Sequence, residues 1–173
     1  MELILLRHGA VPETYQKRYI GHSDIPIDPA LFDAAKIAPL THQAYTHVYS
    51  SDLSRCTQTL ERMGIGSFVA DPRLREVAFK PSVEGKDFSQ LEAMEGFDPR
   101  FLESMECWHE FVCEEPLAAF RERVRNFLDG LPRSGEILIC THAGTIREIL
   151  ALLGTNIASQ TPGYLEYTNV RVK

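Results

Sequence analysis

Residues 1–9 read MELILLRHG, and this stretch sets the architecture. Leu3, Ile4, Leu5 and Leu6 form the short apolar run expected of a strand buried on both faces. The run stops at Arg7, His8 and Gly9. A cation and an imidazole at the C-terminal end of a buried strand, followed by the residue that turns most freely, mark a candidate site. The pattern returns late in the chain. Glu136–Cys140 (EILIC) is a second apolar run, leading into Thr141, His142, Ala143 and Gly144. Two such strands ending at one sheet edge would bring both histidines to one reacting atom.

Between these runs, strand and helix patterns alternate. A polar loop covers 10–28, and Asp28-Pro29 predicts a helix start with a capping carboxylate and proline at the first position. Thr46–Ser50 reads as a strand, and Ser51 and Asp52 as caps of a helix through Leu53, Cys56, Leu60 and Met63. Gly66–Ala70 reads as a third strand. Residues 77–115 are expected as an inserted cap, with an amphipathic helix between Pro99 and Cys113. Leu117, Phe120, Val124, Phe127, Leu128 and Leu131 make a helical stripe. A last helix spans Gly144–Leu153, and Tyr164–Val172 alternates as an edge strand. The expectation is one α/β domain over 1–173: a three-layer α/β/α sandwich with a mostly parallel central sheet and an antiparallel edge strand.

The 173 residues carry 18 basic and 24 acidic side chains, a net charge of -6. That balance argues against a nucleic-acid or anionic-membrane surface, so an anionic substrate needs a local basic pocket. The chain opens directly on a strand, and no apolar run reaches membrane-spanning length. The four cysteines show no C-x-x-C pairing. Reduced thiols and a cytoplasmic location are expected.

Taken singly, each candidate has an ordinary explanation. His8 and His142 read as satisfied structural histidines, Arg55 as a solvated helix residue, and Glu76 as a surface carboxylate. Cys140-x-His142 also suits a metal. The remaining histidines, His22, His42, His47 and His109, read as structural or surface groups. Taken together, two histidines, two arginines and a carboxylate at strand ends are a kit for phosphoryl transfer. Arginine offers a planar fork of donors to phosphate oxygens, neutral imidazole is a nucleophile, and a carboxylic acid protonates a leaving oxygen.

With LILLRHG at 3–9, RYIGHSDIPID at 18–28, YSSDLSRCTQT at 49–59, LRE at 74–76 and ILICTHAGTIRE at 137–148, the chain resembles the histidine phosphatase superfamily, the phosphoglycerate mutase-like proteins. The resemblance implies the phosphoglycerate mutase-like fold. It implies His8 as a transiently phosphorylated nucleophile, Arg7, Arg55 and His142 as holders of the phosphoryl oxygens, and Glu76 as general acid and then base. It implies Ala143 as a backbone donor, and no metal or cofactor. The family's Glu-Thr-x-x-Asn after Arg-His-Gly is here Ala10-Val11-Pro12-Glu13-Thr14, so Thr14 or another loop residue, such as Gly21, is expected to contact substrate in place of the asparagine. The usual Gly-x-Trp-Glu-Gly is reduced to Val83-Glu84-Gly85.

The expected partners are a small-molecule phosphate ester and inorganic phosphate as product, with no nucleic acid or membrane, in a monomer or homodimer. Val77 stands where mutases of the family place an arginine, no Arg-Arg pair occurs, and the chain stops at its last strand without their C-terminal tail. These features favour a phosphatase over a phosphoglycerate mutase-type phosphotransferase. Within phosphatases, Arg-Tyr-x-Gly-His-x-Asp-x-Pro most resembles the α-ribazole phosphatase branch, implying α-ribazole-5'-phosphate as substrate. Two other classes stand beside this reading: a metal-dependent hydrolase using His8, His22, Asp24 and His142, and an inactive phosphate-ester binding module.

Overall fold

The computed structural model describes residues 1–155 and 161–172. The strands are β1 (Glu2–Arg7), β2 (His47–Ser50), β3 (Val69–Ala70), β4 (Glu136–Thr141) and β5 (Tyr167–Arg171). They form one sheet in the order β3-β2-β4-β1-β5, parallel except where β5 runs antiparallel to β1. Six α-helices occur among the described residues: α1 (Ala34–Thr41), α2 (Ser54–Arg62), α3 (Phe88–Glu92), α4 (Met105–Val112), α5 (Leu117–Asp129) and α6 (Ala143–Leu152).

The strand pleat divides the core in two. Ile4, Leu6, Leu138 and Cys140 face one side, against Ile37 and Leu40 of α1 and Cys56 and Leu60 of α2. Leu3, Leu5, Ile137 and Ile139 face the other, against α5, α6 and Val83, Leu91 and Val112 of the 77–115 segment. The apolar runs of β1 and β4 are continuous because both of their faces are covered. The result is the expected three-layer α/β/α sandwich.

The chain steps outward from β1 to β2 and β3 with α1 and α2 on one face. It then returns along the other face through α5 and inserts β4 between β2 and β1. The point where winding reverses is where an open sheet offers a crevice at its strand ends. Pairing of β1 with β4 runs from Glu2 opposite Glu136 to Arg7 opposite Thr141, so His8 and His142 leave the sheet side by side.

Several boundaries differ from expectation. Asp28 caps only one 3-10 turn, Pro29–Leu31, because Phe32 is extended and Asp33 provides a second cap, accepting from the Ala35 N–H at 3.1 Å. The third strand shrinks to Val69–Ala70, and α3 interrupts the loop expected after LRE. The cap helix divides into a 3-10 turn, Pro99–Leu102, and α4, which Ser104 caps. The last strand begins at Tyr167. Ahead of it Leu165 is left-handed (φ 59), and its N–H bonds the Arg7 carbonyl at 3.2 Å.

Helix α2 is not capped by Asp52, whose carboxylate is held by Arg75 through two bonds of 2.7 Å. The cap comes from the 10–28 loop instead: the Ser54 N–H donates to Asp24 Oδ1 at 2.7 Å. A capping carboxylate contributes about 1 kcal/mol, through both the bond and the helix dipole. Asp24→Ala is therefore expected to lower the urea unfolding free energy by about 1 kcal/mol, and Asp24→Asn to recover most of it. Equal stability of all three proteins would contradict the cap.

Candidate active site

Arg7 and His8 end β1, Ser51 follows β2, Arg55 opens α2, and His142 follows β4 at the start of α6. All five gather in the crevice. The rings of His8 and His142 lie 5.2 Å apart, edge to face at 61°. The His8 N–H donates to the Thr141 carbonyl at 3.1 Å, and the Gly9 N–H donates to Thr59 Oγ1 at 2.8 Å, so the backbone around His8 is pinned on both sides.

His8 is 5% exposed, with Nδ1 2.8 Å from the Gly9 carbonyl oxygen. A carbonyl only accepts, so Nδ1 carries the proton and the Nε2 lone pair is free. Nε2 makes no hydrogen bond among the described residues. Burial, with Arg55 and Arg7 nearby, holds the His8 imidazole well below its usual pKa, so the neutral ring dominates at neutral pH. His142 is 1% exposed and is likewise pushed down by burial and by Arg55. Its Nδ1 accepts from Arg55 Nε at 3.2 Å, which puts its proton on Nε2, facing Ser51 Oγ at 2.9 Å.

Arg55, buried, and Arg7, partly buried, are cations without a carboxylate partner among the described residues. Arg55 is 1% exposed. Besides His142 it donates to the Ser23 carbonyl at 2.8 Å and the Gly21 carbonyl at 2.7 Å. Arg7 donates to the Pro162 carbonyl at 2.6 Å and lies 4.1 Å from the centre of the Tyr164 ring. Arg7 Nε is the one buried side-chain nitrogen or oxygen with no hydrogen-bond partner among the described residues. Burial lowers the pKa of both guanidinium groups, which nonetheless keep their charge at neutral pH. Two uncompensated cations beside a free imidazole nitrogen make a site for an oxyanion.

Glu76 approaches from the other wall. Its Oε2 accepts from the Gly144 N–H at 2.9 Å and its Oε1 from its neighbour Val77 N–H at 3.1 Å. A Cβ at Gly144 would meet this carboxylate and push it aside, so glycine lets the acid approach α6. The adjacent Ala143 N–H makes no hydrogen bond among the described residues and remains a donor at the helix N-terminus. The Glu76 backbone is held as well. His22 Nε2 donates to its carbonyl at 2.9 Å, and Arg123, gripped by Glu115 at 2.7 and 2.8 Å, donates to the Arg73, Arg75 and Glu76 carbonyls.

Two expected substrate contacts are placed elsewhere. Both peptide groups of Gly21 are committed within the protein, its carbonyl to Arg55 and its N–H to the Glu84 carboxylate at 2.9 Å. Gly21 holds an arginine and offers no free backbone donor. Thr14 lies exposed in a 3-10 turn, where its carbonyl accepts from Arg18 at 2.7 Å and no bond joins it to the His8 cluster. The metal-hydrolase reading is also not assembled: His22 bonds the Glu76 carbonyl and Asp24 caps α2, and no three metal-ligating side chains converge among the described residues.

Sequence reasoning missed Glu84 as a positioning residue. Its carboxylate accepts from both the Gly21 and Ser23 N–H groups, and those residues' carbonyls hold Arg55. The reduced Val83-Glu84-Gly85 motif was its one visible trace. It missed Tyr164 too, because the left-handed Leu165 that seats its ring over Arg7 has no sequence signature.

The tautomers are open to a direct check. Long-range 1H–15N correlation spectra, assigned with single-histidine variants, are expected to show His8 protonated on Nδ1 and His142 on Nε2. Both pKa values are depressed, so both rings stay neutral at pH 6.5 and gain a second proton only further toward acid. An imidazolium signal from either at pH 6.5 would contradict this electrostatic description.

Comparison with known proteins identifies the family. Residues 3–172 match the histidine phosphatase superfamily (branch 1). Among curated relatives, a probable phosphoglycerate mutase GpmB from Yersinia pestis is 33% identical over 82 residues. A second, from Proteus mirabilis, is 34% identical over 82 residues. These matches span 44% of this chain and 38% of the relatives' length. Among solved structures, TTHB049 from Thermus thermophilus is similar with a TM-score of 0.73 and 30% identity, covering 98% of this chain and 93% of that one. A phosphoglycerate mutase from the same organism follows at 0.71 and 29%, covering 98% and 92%. The chain belongs to the histidine phosphatase superfamily.

Proposed function

We propose that the protein is a metal-independent phosphomonoesterase that hydrolyses a small-molecule phosphate ester through a phosphohistidine on His8. The observation that carries this reading is the neutral His8, with Nε2 free, set beside the guanidinium groups of the buried Arg55 and the partly buried Arg7, neither paired with a carboxylate among the described residues. Members of the superfamily transfer phosphoryl groups, and these residues suit that chemistry.

In the first step the Nε2 lone pair attacks phosphorus, the P–O bond to the leaving group breaks, and Glu76, as general acid, supplies a proton to the departing oxygen. In the second step water attacks the phosphohistidine and Glu76 takes its proton. The N–P bond breaks, its electron pair returns to Nε2, and phosphate leaves. Arg7, Arg55 and the Ala143 N–H would bear the charge on the non-bridging oxygens, the largest electrostatic demand of such a transfer. His142 fixes Arg55 through Nδ1. It would reach the phosphoryl group itself only by releasing its Nε2–H from Ser51.

Hydrolysis is favoured over mutase-type transfer because a mutase must hold a second anionic group while the phosphoryl group is out of hand. Val77, directly after the acid, is buried and offers no such cation. Among esters, α-ribazole-5'-phosphate is the finer reading, and it rests on the Arg18–Pro26 stretch. A cytoplasmic, soluble protein acting as monomer or homodimer is part of the same proposal. Among the described residues no helix is long and apolar enough to cross a membrane.

Turnover of an aryl phosphate in excess chelator is expected to persist in the wild type and to disappear in His8→Ala. Loss of wild-type activity to the chelator, or activity in His8→Ala, would overturn the mechanism. The acid role has its own test. Glu76→Gln and Gly144→Ala, which displaces the Glu76 carboxylate, are both expected to cut kcat for alkyl phosphates by about 100-fold or more, the scale of general acid catalysis. Aryl phosphates, whose leaving oxygen needs little protonation, are expected to lose far less. Equal losses for both ester types would remove Glu76 from that role.

A further inference from the structure

A cavity of about 450 Å3 opens beside Glu76, between the 77–115 segment and helices α5 and α6. Glu76 and Gly144 line it, so it adjoins the candidate active site at the acid. Its wall carries Tyr19, Phe79, Trp108, Val112, Leu117 and Phe120. Tyr19 stands edge-on to Phe79, with centroids 5.3 Å apart at 89°, and 6.0 Å from Trp108, so three rings make one surface. Of the polar groups in its wall two are engaged elsewhere, while Glu106 makes no hydrogen bond among the described residues. His109 Nε2 donates to the Glu115 carbonyl at 2.8 Å, and Arg121 pairs with Glu148 at 3.3 Å. Arg147 stands near the opening, 3.7 Å from the sulfur of the exposed Met105. A second cavity, near Lys36 and Thr168, is lined by neither His8 nor Glu76.

We propose that this cavity receives the leaving group, and that the leaving group is an alcohol carrying a planar apolar ring. The proposal rests on the phosphomonoesterase reading above and adds the class of ester. Three observations carry it. The cavity begins at the acid that would protonate the leaving oxygen. Its volume has room for on the order of ten waters, so a two- or three-carbon alcohol would leave most of it filled by solvent. Its wall offers three adjoining ring surfaces, against which a planar ring packs. A planar ring covers the Tyr19, Phe79 and Trp108 surface and loses no hydrogen bonds. Trp108, from α4, is thereby a specificity residue.

Trp108 is the single tryptophan of the chain, so its fluorescence reports on this wall alone. The test pairs two non-hydrolysable ligands, 2-phenylethylphosphonate and ethylphosphonate, with the two corresponding phosphate esters, whose alkyl leaving groups differ little in chemistry. The phenyl compound is expected to shift Trp108 emission and to bind about ten- to 100-fold more tightly, the range for burying one such side group. The same ratio is expected in kcat/KM. Trp108→Ala is expected to draw the kcat/KM ratio toward one, and Trp108→Phe to restore most of it. Equal binding and equal kcat/KM for the two pairs would overturn the ring proposal and leave the phosphomonoesterase reading standing. Tight, emission-shifting binding of the phenyl phosphonate with no turnover of either ester would overturn the phosphomonoesterase reading and the leaving-group role, and leave the cavity as a site for a ring-bearing phosphate ester. A ratio that survives in Trp108→Ala would remove Trp108 from the role assigned to it.

Discussion

Everything in this crevice depends on the parallel pairing of β1 with β4. Residue-for-residue register from Glu2 opposite Glu136 to Arg7 opposite Thr141 sets His8 beside His142. A slip by one residue would turn the apolar side chains of a strand to the wrong layers, so burial on both faces enforces the register. The same burial excludes water from the histidines. Exclusion of water, with the arginines close by, keeps both imidazoles neutral. The sheet thus sets both the position of the nucleophile and its protonation state.

The arginines show how the surrounding loops solve a conflicting demand. A buried guanidinium is most readily held by a carboxylate, but a carboxylate would cancel the charge that an oxyanion needs. Here Arg55 is oriented by the carbonyls of Gly21 and Ser23 and by His142 Nδ1, and Arg7 by the Pro162 carbonyl and the Tyr164 ring. Dipoles fix the direction and leave the net charge in place. The carboxylates stand one step back: Glu84 holds the 21–23 loop, Glu115 holds Arg123 against the 73–76 carbonyls, and Asp24 caps α2.

Much of the scaffold was legible in the chain because its signals are local. The runs Leu3–Leu6 and Ile137–Cys140 have one reasonable use, and the stripe through Leu117, Phe120, Val124 and Phe127 marks α5, with Leu131 falling just past its end. Errors arose where a local signal had competitors. Asp28 and Asp33 both cap, and the second takes the longer helix. Asp52 has the chemistry of a cap, but Arg75 holds it, and Asp24 arrives from thirty positions away. The strand expected from Tyr164 is shortened by a left-handed Leu165, held by its burial (2% exposed) and by its N–H bond to the Arg7 carbonyl.

The sequence by itself determined the chemistry on offer: buried strands tipped with Arg7-His8 and with His142, an Arg55 opening a helix, and a Glu76 at the end of a loop. These depend on residue type and short-range periodicity, which a linear chain displays. Only the tertiary structure decided which of these groups meet. Insertion of β4 between β2 and β1 joined the two histidines, and Gly144, with no Cβ in the way, let Glu76 reach the first turn of α6. The Nε of Arg7, without a partner among the described residues, the carbonyl cradle of Arg55 and the ring-lined cavity beside Glu76 belong to the fold in the same way. Each is assembled from residues far apart in the chain, and distances between such residues are set by packing, which no local pattern encodes.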